Sequence, residues 1–73
     1  MENAFVVMHQ GRLIGVYSSH RKAMQAIIME TIPFGYVMSD YTFDFGVEFL
    51  TFTDDNGTTE TYELQEATLD QRA

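Results

Sequence analysis

The sequence has no cysteine and no tryptophan, a single proline, and only four lysines and arginines in 73 residues. Without cysteine no disulfide ties the chain together, and thiolate metal centres and thiol nucleophiles are excluded. A chain of this size buries only about 60% of the surface that its unfolded form exposes. Its core is therefore small, and with no disulfide or evident metal site a partner subunit is the expected reinforcement. The consequence is self-association, and the reading predicts a homodimer.

Long hydrophobic runs are also missing. The longest, Ala4 to Met8, spans five residues, against the roughly 20 that a membrane-crossing helix needs. The opening "MENAFVVMHQGR" has no basic segment ahead of that run, so it does not read as a secretory leader. The expectation is a cytoplasmic protein with no membrane partner.

Basic residues are scarce and unevenly placed. The formal net charge is −7, which argues against direct nucleic-acid binding through a phosphate-neutralising face. Arg12, Arg21 and Lys22 set against Glu2 make residues 1–22 net positive, whereas ten of the eleven acids lie between residues 23 and 71 with no base among them. The expected molecule has a small basic end and a broad acidic remainder.

What is present reads as a folded α+β domain occupying residues 1–73. "AFVVMH" and "RLIGVYS" are β-branched and aromatic runs joined through Gln10-Gly11, a tight hairpin. Ser18 or Ser19 then offers a helix N-cap. Met24, Ile27 and Ile28, with Ala23 beside them, give the helix one apolar face. Pro33 stops it and Gly35 turns the chain. In "DYTFDFGVEFLTFT", Tyr41, Phe43 and Phe45 alternate with Thr42 and Asp44; after Gly46 the phase shifts, so that Val47 and Phe49 oppose Leu50 and Phe52. Gly46 reads as a bulge or bend within one long strand. Asn56-Gly57 marks a hairpin, Thr58 to Leu64 the returning strand, and "QEATLDQRA" a short terminal helix or a frayed tail. The predicted architecture is an antiparallel sheet of about four strands with one helix on a face. One helix cannot cover such a sheet, so Val6, Met8, Ile14 and Val16, or their opposite neighbours, should meet a second copy.

The segment "VVMHQGRLIGVYSSHRKAMQAI" resembles a family of small ββα domains from phage and bacterial sequences, with "LIGVYSS" leading into a polar helix opening and an "A..AI" helix. The resemblance covers about residues 4 to 45. It implies the ββα arrangement and a phage or bacterial-host setting, and carries no activity, cofactor or site residue.

No phosphate-binding loop, dinucleotide fingerprint or nucleophile elbow is present, so no enzyme and no catalytic residue is expected. His9 and His20 lack the spacing of a metal site. Placing Asn56 and Gly57 in a calcium loop would put Phe52 at its first ligand position, which an aromatic cannot serve; no metal or other cofactor is expected. Tyr41, Phe43, Phe45, Phe49 and Phe52 could form a base-stacking platform, but such platforms come with lysine and arginine, and packing is the better account. The acids are the more informative feature, because solvated surfaces usually mix both signs. Asp40 and Asp44, four residues apart in a strand, should share a face about 13 Å apart. Glu48 would join them if the Gly46 bend allows, with Glu60 and Glu63 extending the surface. Arg12, Arg21 and Lys22 form a second candidate contact, brought together by the hairpin and the cap; they also open the helix against its dipole, a mismatch of only about 0.3–1 kcal/mol each.

These residues point to a non-enzymatic acidic interaction module, of the kind of a phage-encoded inhibitor (anti-defence or anti-CRISPR type), docking on a basic, nucleic-acid-binding surface of a host protein. The alternative is a structural or accessory protein whose acidity serves solubility, or a small-ligand binder.

Overall fold

A computed structural model describes residues 2–69. The strands are β1 (Glu2–His9), β2 (Arg12–Tyr17), β3 (Val37–Asp44), β4 (Val47–Thr53) and β5 (Thr59–Leu69), with helix α1 (His20–Thr31) and a 3-10 turn (Ile32–Phe34) between β2 and β3. All five strands form one antiparallel sheet in the order β2-β1-β5-β4-β3. The α+β class and the single helix agree with the sequence reading; the sheet has five strands rather than four.

The extra strand arises at Phe45-Gly46. Both residues take positive φ, 51° and 80°, and Asp44 pairs directly with Val47. This is a two-residue hairpin turn with left-handed backbone at both central positions. The expected long bent strand is therefore β3 and β4 folded back on each other, and the phase shift at Gly46 is a chain reversal. Gln10-Gly11 uses the same device, with φ of 53° and 77°. The Asn56-Gly57 hairpin is looser: the Asp54 carboxylate accepts from the backbone N–H of Asn56 and of Thr58, both at 2.9 Å, which shapes the loop around an Asx turn.

The C-terminal expectation is also corrected. Gln65–Leu69 is neither helix nor frayed tail; it extends β5, pairing with Val6 back to Glu2 of β1. That pairing makes β5 the central strand. The last residues of "QEATLDQRA", from 70 on, lie outside the described residues.

Ser19 is the N-cap, its hydroxyl accepting from the Lys22 N–H at 3.2 Å. Gly35, at φ 88°, closes the 3-10 turn that begins at Ile32 and holds Pro33 in its first turn. The buried helical stripe is Ala23, Ile27 and Thr31, with Met24 packed beside it; Ile28, expected on that face, is 41% exposed at its margin. Beneath the stripe lie Val7, Leu50, Phe52, Tyr62 and Leu64. Burial pushes the Tyr62 hydroxyl above its ordinary pKa, and the charges of Glu30 and Glu60 push it further the same way.

A helix about 10–12 Å wide covers little more than two strands spaced about 4.8 Å apart. Here α1 packs over β1 and β2, so the helix side of β3 stays bare. Two bulges decide the faces. One sets Ile14 as the extra residue of β2, sending it toward the core instead of the open face where it was expected. The other makes Ser39 the extra residue of β3, its hydroxyl bonded to Thr53 Oγ1 at 2.8 Å. The open face opposite α1 carries Val6, Met8, Leu13 and Val16 at its β1–β2 end. None of the helices among the described residues is long and apolar enough to cross a membrane.

Candidate functional site

Cross-strand partners share a face, so the register locates each acid. Asp40 pairs with Thr51 and Asp44 with Val47; in the row between them Thr42 pairs with Phe49, whose partner in β5 is Glu63. Asp40, Asp44 and Glu63 thus share the open face, as the strand alternation of the first two requires. Glu48 and Glu60 do not join them. They pair with Leu64 and Phe52, respectively, and so stand on the helix side. The turn at Phe45-Gly46 reverses the chain, and reversal rather than a bend puts Glu48 on the other surface. The expected single acidic face is in fact two.

The basic cluster is likewise divided. Arg12 pairs with His9 at the hairpin end of β2, while Arg21 and Lys22 follow its far end in α1. Five strand steps of about 3.3 Å separate Arg12 from Tyr17, so hairpin and cap hold these bases apart.

Both histidines are engaged with glutamates that the sequence reading assigned to docking. His9 stacks on Tyr62, ring centroids 4.3 Å apart, and bonds Glu60; Gln10 Nε2 donates to the same carboxylate oxygen at 3.2 Å. His20, the first residue of α1, donates from Nε2 to Glu48 Oε2 at 2.8 Å, since a carboxylate can only accept. Tyr41 Oη donates to Glu48 Oε1 at 2.7 Å, and that bond, with burial and the Glu48 charge, holds the phenol above its ordinary pKa. Glu48 therefore ties the helix N-terminus to the β3–β4 hairpin. This contact gives the unusual basic opening of the helix a place in the fold: its first side chain bridges to an acid of the sheet.

Beside this relay is a cleft of about 450 Å³, lined by Phe5, His20, Phe43, Gly46, Glu48, Leu64 and Glu66. It lies where the helix stops short of β3. Phe5 meets His20 edge-on, centroids 5.9 Å apart, and Asn3 Nδ2 donates to Glu66 Oε2 at 2.6 Å. The volume falls within the roughly 300–1,000 Å³ span of small-ligand sites. Sequence reasoning missed the cleft and Glu66, because its lining comes from β1, α1, β3, β4 and β5 and only the register brings those residues together.

The aromatic series does not form one platform. Tyr41 and Phe43 stand on the helix side, Phe49 on the open face, and Phe52 in the core. Phe45 sits at the hairpin tip, 97% exposed. Comparison of the chain with protein-family models, curated proteins and solved structures finds no match.

Proposed function

We propose that the protein is a non-enzymatic acidic interaction module that docks on a basic, nucleic-acid-binding surface of a host protein through its β3–β4 hairpin, in the manner of a phage-encoded inhibitor of the anti-defence or anti-CRISPR type. Phe45 is the observation that carries this reading. A left-handed backbone costs a non-glycine residue roughly 1–2 kcal/mol, and the turn favours asparagine or aspartate at this position. Gln10, the other non-glycine residue with positive φ among the described residues, has a side-chain bond to Glu60; the Phe45 ring is almost wholly in solvent. Strain kept together with an exposed aromatic suggests selection for contact rather than for stability. Asp44 precedes it and Asp40 lies on the same strand, so an aromatic anchor sits next to two charges suited to steering a basic surface. The inhibitor setting rests on the small size, the charge and the ββα resemblance.

Capture from a prokaryotic lysate identifies the partner, and association rates then test the surface. Phe45→Asn should raise stability by about 1 kcal/mol while weakening capture at least tenfold. Asp40→Asn with Asp44→Asn should leave melting nearly unchanged and flatten the fall of the association rate with salt. Wild-type capture by Phe45→Asn would sink the reading.

The same chain is proposed to dimerise through the β1–β2 end of the open face, where Val6, Met8, Leu13 and Val16 cluster away from Asp40 and Asp44. Sedimentation at micromolar concentration should give a dimer that Val16→Lys converts to a monomer. A wild-type monomer across the range removes this contact.

A further inference from the structure

We infer that the cleft between the start of α1 and the β3–β4 hairpin is a binding site for a guanidinium group, an arginine side chain presented by a partner. It rests on the docking proposed above only for the origin of that side chain.

The lining determines the chemistry. Phe5 and Phe43 supply aromatic surface, Leu64 is fully buried at the apolar part, and Glu48 and Glu66 supply two carboxylates. An anion is disfavoured by those acids despite the nearby helix N-terminus. A neutral apolar ligand would leave the remaining lone pairs of both carboxylates facing it unpaired. A cation satisfies them, and an aromatic face attracts it through the ring quadrupole. Guanidinium fits better than ammonium because it is planar, weakly hydrated, stacks on rings and engages carboxylates with two parallel bonds.

The carboxylates are also held ready. Glu48 is fixed by His20 and Tyr41, one donor on each oxygen, which leaves further lone pairs to accept. Glu66 uses Oε2 for Asn3, and its Oε1 has no partner among the described residues. Arg21 and Lys22 follow His20 directly, yet neither lines the cleft, and Lys22 Nζ is bonded instead to Ser18 Oγ at 3.3 Å. Among the described residues, the protein's own bases therefore leave the site open. Phe43, 65% exposed, forms the wall next to the hairpin that carries Phe45, so an arginine of a partner docked on that hairpin reaches the cleft without rearrangement.

The probe is Nα-acetyl-L-arginine N-methylamide, titrated into the full chain while NMR follows the Leu64 methyls and the Phe5 and Phe43 rings. Its citrulline counterpart has nearly the same shape without charge, and its lysine counterpart has an ammonium. The arginine probe should give saturable shifts at these groups in the millimolar range, the ordinary strength for about sixteen non-hydrogen atoms. The lysine probe should bind several-fold more weakly, and the citrulline probe should leave the groups unmoved. Glu66→Gln and Phe43→Ala, both at exposed positions outside the core, should each weaken the arginine probe about fivefold or more. Equal shifts from citrulline, equal affinity for lysine, or wild-type affinity in both variants overturns the assignment. Asp40→Asn, Asp44→Asn and Phe45→Asn lie outside the cleft and should bind the probe as the wild type does. A failure here thus leaves the hairpin docking standing, and a failure of that docking leaves this site standing.

Discussion

A chain ending at Leu64 should not fold. The truncation removes the β5 residues that pair with Glu2 through Val6 of β1, and Gln65 also pairs with Val47 of β4. Only Val7, Met8 and His9 would keep partners in β5. The consequence spreads because β2 reaches the rest of the sheet only through β1, and α1 packs over β1 and β2. Losing most of the β1–β5 seam therefore loosens the hold of two strands and the helix on Leu50, Phe52 and Tyr62, and exposes the core from one side. Against a total stability of roughly 4–11 kcal/mol for a chain of this length, that loss exceeds the whole. Circular dichroism and amide dispersion should show a largely unfolded chain. A cooperative melt within a few degrees of the full-length protein would contradict the central position of β5.

The same seam marks the boundary of what local sequence reveals. The Ser19 cap, the Gln10-Gly11 turn, the Pro33-Gly35 stop and the Asn56-Gly57 hairpin are short-range features, and each was readable because one or two residues carry the backbone requirement. The pairing of Gln65–Leu69 with β1 joins residues some sixty positions apart. Nothing local encodes it; the Gln, Glu, Ala and Leu of that stretch are good helix formers, and tertiary pairing overrides their preference. Phe45-Gly46 failed for a different reason. The phase shift at Gly46 was visible, but phenylalanine in a left-handed turn position runs against turn chemistry, so a bulge was the more economical reading. The bulge at Ser39 carries no glycine or proline to announce it, whereas the one at Ile14 sits beside Gly15, a signal that the sequence reading did not use.

The candidate site was legible in part for related reasons. Asp40 and Asp44 share a face because alternation alone dictates it. Glu48 could be assigned only by knowing that the chain reverses before it, and its partners His20 and Tyr41 then follow from the fold. Arg12 was grouped with Arg21 and Lys22 on the expectation that the hairpin and the cap bring them together, but the six-residue strand β2 holds its two ends apart. Charge totals indicate that a chain is acidic; register decides which acids act together.

Two phenylalanines of β4 should separate the buried side of the sheet from the open one. Phe52 is fully buried and meets Tyr62 edge-on, centroids 6.0 Å apart. Replacing it by alanine removes the largest of the fully buried side chains and leaves a cavity that the flanking Ile27 and Leu50 cannot fill, so Phe52→Ala should cost about 3–5 kcal/mol. For a domain of this size that lowers the melting temperature by roughly 12–40 °C, enough to unfold much of the protein at physiological temperature. Phe49 lies three residues earlier, half-buried on the open face beside Thr42 and Glu63. Its replacement leaves no enclosed cavity in one chain, and Phe49→Ala should cost less than about half as much. Melting both variants at low and high protein concentration adds a second dimension. The Phe52 loss should be independent of concentration, because the residue is enclosed within a single chain. Equal losses for the two variants at every concentration would mean that the open face is as enclosed as the core, which a single helix on the opposite side of the sheet cannot provide.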